Sequence, residues 1–155
     1  MSKAFVREGE SDDAGDDLPE RPVSPHPNFV TAAGLAAIDA ELARLHAEAA
    51  RLDPERDALV AARVARDLRY WTARRASAQV VDAPRPGGTV QFGSRVTIER
   101  ADGRRQAFRI VGEDEADPSA GSISWVSPMG AALLRREEGD VVRVAGGEVE
   151  IVAVE

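Results

Sequence analysis

No cysteine occurs in the 155 residues. A disulfide framework, a thiolate-bound metal and a thiol nucleophile are therefore excluded, and a reducing compartment fits the composition. Aromatic residues make up 5% of the chain, while the hydrophobic set reaches 43% and is rich in alanine, so the core must be small and aliphatic. Two histidines, His26 and His46, stand well apart. A histidine-based metal site or a Ser/His/Asp triad would have to draw on distant residues. No run approaches the roughly 18 apolar residues that cross a bilayer, and the opening MSKAFVREGESDD has no apolar signal core. The expectation is a soluble cytoplasmic protein with no membrane partner. Basic charge is short as well: 20 Lys and Arg face 27 Asp and Glu, a net charge of −7. Tight binding to a nucleic-acid backbone needs a net basic face, so a protein or small-ligand partner is expected instead. No GxGxxG or GxxxxGK[ST] follows a strand pattern, which argues against a nucleotide-binding enzyme.

What is present falls into three stretches. Residues 1–28 carry seven acids against three bases and include the run PERPVSPHP near their end. They read as an acidic, Pro-rich disordered tail, whose functional alternative is a weak contact with a basic surface on a partner. From Thr31, a suitable N-cap, Leu35, Ile38, Leu42, Leu45, Ala49 and Leu52 recur at spacings of three and four, which is a heptad seam. Asp53-Pro54 ends that helix. A second helix is expected over 55–78, with Ala61, Val64, Leu68, Trp71 and Ala78 as the matching seam. Residues 29–82 thus form an antiparallel coiled-coil hairpin, and the arginines of its second helix read as a solvated face.

APRPGG marks a linker and a boundary near residue 83. Beyond it, strands are expected over 89–92, 95–100, 106–112, 123–126, 141–144 and 148–154, with one short helix opened by Ser127-Pro128. The fold class is α+β: a helical hairpin followed, over 83–155, by a small antiparallel β domain with one helix.

One cluster could carry chemistry. Asp53, Glu55 and Asp57 sit at the expected hairpin tip. Acids there serve as caps and complement the helix dipole; alternatively, carboxylates at the end of a projecting rod could help hold Mg²⁺ in a partner's active site. The chain is expected to be no enzyme by itself, with no catalytic residue, no resident metal and no cofactor.

The order of hairpin, linker and β domain resembles the Gre family of bacterial transcription elongation factors. The resemblance is strongest in SAQVVD (77–82), FGSRVTIERADG (92–103), FRIVGEDEADP (108–118), ISWVSPMGAALLRREEGDVV (123–142) and the closing EIVAVE. It implies an FKBP-like β domain docking on the rim of the RNA polymerase secondary channel, with the coiled coil reaching inward. Nucleic acid is then met only through the polymerase complex, and the protein is expected to act as a monomer. In the family an acidic tip motif, similar to GD-SENA-Y, coordinates the second catalytic Mg²⁺ and lets polymerase cleave backtracked RNA. No such motif stands between Leu45 and Arg75. A first helix of about 22 residues also makes a rod of roughly 33 Å, a few turns shorter than in full-length members, which resembles the shortened group that includes Rnk-type regulators. The implied function is a polymerase-binding elongation regulator without its own cleavage stimulation. An active cleavage factor using the tip acids, or an FKBP-like prolyl isomerase, are the rivals. Docking is assigned to Ser127, Pro128, Met129, Ala131 and Leu134, where a Ser-Pro turn exposes an apolar corner, although Ser127-Pro128 also reads simply as a helix start.

Overall fold

Apolar and polar residues alternate along Arg95–Arg100 (β3), so the pleat sends Val96 and Ile98 to one face and Arg95 to the other. In the computed structural model, which describes residues 18–155, β3 is the middle strand of a five-stranded sheet. One neighbour is Arg105–Val111 (β4), antiparallel across the turn at Asp102-Gly103. The other is Gly147–Val154 (β7), antiparallel, with a register shift between Thr97 and Ile98 that curls the sheet. Val141–Val144 (β6) lies antiparallel beyond β7, and Ser122–Ser124 (β5) lies parallel beyond β4. The sheet expected to be wholly antiparallel is therefore mixed. After β4 the chain makes two 3-10 turns, Glu113–Glu115 and Pro118–Ala120, and re-enters the sheet in its original direction, a crossover rather than a hairpin.

Residues 89–92 form no ladder. Thr89 makes one isolated bridge with Glu137, and glycines with positive φ at 87, 88 and 93 interrupt the extended run on both sides. Val90 still enters the core at 1% exposure, beside Ile98, Ile110 and Ile151. The helix Pro128–Leu133 (α3) closes this core by inserting Leu133.

The hairpin comprises Ala32–Arg51 (α1) and Ala58–Ser77 (α2), each about 30 Å long at 1.5 Å per residue. Ile38, Leu45 and Val64 are buried along the expected seam, with Leu35, Leu42, Leu68 and Trp71 half-buried. Arg75 to Asp39 (2.6 Å) and Arg63 to Glu48 (3.8 Å) link the helices across the outer edges. The second helix starts at Ala58 rather than 55, because the Asp53 carboxylate takes the Glu55 N–H (3.0 Å) and the Asp57 carboxylate takes the Asp53 N–H (3.1 Å). Those bonds hold 53–57 as a turn, with Pro54 inside it.

Residues 18–28 depart from the disordered reading; residues 1–17 of that acidic tail lie outside the described residues. Glu20 pairs with Arg69 (2.5 Å), Arg21 pairs with Asp67 (3.3 Å) and stacks 3.9 Å above the Tyr70 ring, and His26 meets Trp125 edge-on. The lead-in binds the face of α2 that carries Asp67, Arg69 and Tyr70. Proline at 22, 25 and 27 keeps the segment extended along it. Phe29–Val30 (β1) then pairs in parallel with Gln79–Val80 (β2), tying the entry of the hairpin to its exit. Removing residues 18–27 along with those before them should lower the melting temperature, because the ion pairs of Glu20 and Arg21 and the two cation–π contacts of Arg21 with Tyr70 and Trp71 are lost. Thermal melting followed by circular dichroism checks this, and an unchanged transition would mean the lead-in contributes nothing.

Candidate functional site

The corner before α3 is built by a cap. Ser127 has extended backbone, its hydroxyl accepts the Gly130 N–H (3.1 Å) and donates to the Ser124 carbonyl (2.6 Å), and Pro128 supplies a preset φ in the first turn. The Ser127 hydroxyl is thus committed to the fold. Of the other four residues assigned to docking, Pro128 and Ala131 are exposed, whereas Met129 and Leu134 are half-buried and pack on the core. An open cleft of about 470 Å³ flanks the corner on one side, lined by Ile123, Pro128, Met129 and Val144 among others. A second, of about 380 Å³, lies on the other side against His26, Trp125, Ala131 and Leu134. The helix therefore presents an apolar ridge between two hollows, a shape suited to a protein surface.

At the far end of the molecule, the three tip acids do not converge. Asp53 and Asp57 each give one carboxylate oxygen to the backbone of the turn, and the other oxygen of Asp53 faces Arg56 at 3.6 Å. Glu55 is exposed beside them. Holding the backbone of the turn is thus the observed work of two of the three, and Asp57, the N-cap of α2, makes no side-chain cap bond to that helix.

Between corner and tip lies a site the sequence reading did not single out. Arg74, taken for part of a solvated face, is 1% exposed. Its Nε donates to Asp114 (2.5 Å), Nη2 donates to Asn28 Oδ1 (2.8 Å), and Glu113 stands 3.9 Å away. Asp114 also accepts the Tyr70 hydroxyl (2.5 Å). Next to it, Glu115 accepts the Thr31 N–H (3.0 Å), the Thr31 hydroxyl and the Gly112 N–H (3.1 Å). A Cβ on Gly34 would overlap the Glu115 side chain, which explains a glycine in the first turn of α1. The available signal was spacing. Asp67, Tyr70 and Arg74, at intervals of three and four, form a second stripe beside the apolar seam.

Burial, and then the bond to Asp114, pushes the Tyr70 phenol up to about 12. The folded state favours the protonated phenol, so its contribution is complete below pH 10 and is lost as the pH rises toward 12. The chain has a single tyrosine. Phenolate absorbance should therefore titrate near pH 12 in the folded protein and near 10 in denaturant, and Asp114→Asn should bring the folded value down. A folded midpoint at 10 would contradict the buried bond.

An antiparallel helical hairpin set on a curled mixed sheet, with an apolar corner on the sheet and an acidic turn at the hairpin tip, defines a two-part α+β protein. Residues 85–155 match the family model for the C-terminal part of transcription elongation factors GreA and GreB. The chain is 33% identical over 141 residues to the transcription elongation factor GreA of Maricaulis maris, an alignment that spans 74% of this chain and 86% of that one. It belongs to the GreA/GreB family. Over 92 residues it is 47% identical to GreA of Desulfovibrio desulfuricans, 58% of this chain and 54% of the relative; the chain spans between half and three fifths of the length of the relatives it matches first. The crystal structure of the GreA factor homolog 1 of Thermus thermophilus is 25% identical and overlays 84% of this chain and 99% of that one at a TM-score of 0.41. The expectation of a protein with no enzymatic part is corrected by these relatives, which are GreA factors at 43–47% identity. That expectation rested on a missing motif at the tip, whereas the similarity to the Maricaulis factor runs through most of the chain. Among the described residues, no helix is long and apolar enough to cross a membrane.

Proposed function

We propose that this chain regulates transcription elongation in the cytoplasm by occupying the secondary channel of RNA polymerase, acting as a monomer. The sheet docks at the channel rim through the Pro128 and Ala131 side of α3, with Met129 and Leu134 beneath, and the hairpin fills the channel mouth. Family membership supports the partner. The observation that carries the mode of action is the tip, where Asp53 and Asp57 are held by the turn's own backbone. A carboxylate helps phosphoryl chemistry only when it reaches the metal or the attacking water, and a shortfall of even an ångström or so costs about a hundredfold. The effect on transcript cleavage is therefore exerted chiefly through which factor occupies the channel.

A second reading, direct assistance by the tip, is carried by the exposed Glu55. Replacing Asp53, Glu55 and Asp57 together by alanine separates the two: occupancy predicts unchanged effects on cleavage at matched polymerase affinity, and direct assistance predicts their loss. Docking is tested by Pro128→Ala and Ala131→Asp, which touch exposed atoms, rather than at Met129, whose replacement would disturb the core. Each should weaken binding to core polymerase several-fold while melting stays in place. Unchanged affinity in both removes this ridge from the interface.

A further inference from the structure

The two helices of the hairpin are gripped at their base by consecutive residues of one short turn. Asp114 takes hold of α2 through Arg74 and Tyr70, and Glu115 takes hold of α1 through the backbone and hydroxyl of Thr31. Asn28 completes the Arg74 fork and returns a bond to the Arg74 carbonyl (2.7 Å). We propose that the turn Glu113–Glu115 aims the hairpin, with Asp114 and Glu115 as positioning residues that fix where the tip points relative to the sheet.

Apolar contacts between a hairpin and a sheet are non-directional and tolerate rocking. Here the aromatic contacts of Phe29 with Trp125 and Phe92 would allow a range of tilts. Bonds to a planar guanidinium and to a helix N-cap do not, because they weaken steeply when misaligned. Since adjacent residues hold different helices, tilting either helix breaks a bond of its own. Leverage makes this matter: a tilt of ~10° at the base of a rod ~30 Å long moves its end by ~5 Å. The close approaches at Gly34 and Gly112, where a Cβ would overlap Glu115 and the Phe29 carbonyl, leave the turn no alternative seat. The proposal rests on the channel reading only for its consequence inside polymerase; the geometry is tested without it.

The chain contains no cysteine, so Glu55→Cys and Arg104→Cys place nitroxide labels at the tip and at the far turn of the sheet alone. Double electron–electron resonance on the full chain should give one narrow distance distribution. Asp114→Asn and Glu115→Gln, each added singly, should at least double its width with unchanged far-ultraviolet circular dichroism. Arg74→Lys, which keeps the charge and loses the fork, should fall between. A width unchanged in the folded variants overturns the proposal. Should Asp114→Asn fail to fold, Tyr70→Phe removes one bond and unpairs no charge, and it is read by the same criterion. In competition with GreA for polymerase, the loosened variants should lose at least fivefold. If the parent itself does not compete, the channel reading fails while the distance result still decides the aiming role.

Discussion

Replacing Arg74 by methionine should cost about 3–5 kcal/mol, because it strands a carboxylate and an amide that the protein interior has already desolvated. For a chain of this size that is a fall in melting temperature of roughly 6–20 °C. The effect exceeds that of any exposed pair on the hairpin by severalfold, since pairs such as Arg44 with Glu41 and Glu48 keep their solvent. Geometry sets the difference: the Arg74 side chain is 2% exposed and its partner Asp114 is 10% exposed. Adding Asp114→Asn to Arg74→Met should cost much less than the sum of the two single changes, because the second removes the charge that the first left unpaired. Thermal or urea unfolding of the four proteins checks this, and additive losses would show that the two side chains do not act as a pair.

Gly130→Ala should damage fold and docking together. A Cβ at Gly130 would overlap the carbonyl oxygen of Ser124, which is backbone and cannot swing aside. The helix α3 must then lift from β5, at about 1–3 kcal/mol for overpacking of this kind. Lifting also displaces Pro128 and Ala131, so affinity for core polymerase should fall by tenfold or more, beyond what the loss of stability explains at a temperature where the variant is folded. Measuring binding and melting on one preparation separates the two effects. A lowered melting temperature with full affinity would place the docking surface elsewhere.

Both changes fall where the sequence was legible in part. The hairpin could be read from Leu35, Ile38, Leu42 and Leu45 because an apolar seam at three-four spacing admits few other structures, and the strands with clean alternation, such as Val96 and Ile98, could be read for the same reason. What escaped was set by tertiary partners. Whether Ser122–Ser124 runs with β4 or against it depends on the two 3-10 turns between them, and no periodicity encodes a crossover. Residues 89–92 have the composition of a strand, yet the glycines around them allow a single bridge. The lead-in looked too polar to pack, since its contacts are made to charged and aromatic side chains of α2, and a charge on one segment says nothing of a countercharge 46 residues away, as in Arg21 with Asp67. Arg74 looked solvated because arginine usually is; the acids that bury it lie forty residues on, in GEDEADP. At the tip, the residues could be named and their role could not, because capping and metal binding ask for the same carboxylates.

Occupancy of the polymerase channel is open to test by competition. Stalled, backtracked elongation complexes with Mg²⁺ and a fixed amount of GreA should release short 3′ RNA fragments more slowly as this protein is added, in proportion to the fraction of polymerase it occupies. Fragment release that continues at the GreA rate while this protein is bound to polymerase would contradict the account.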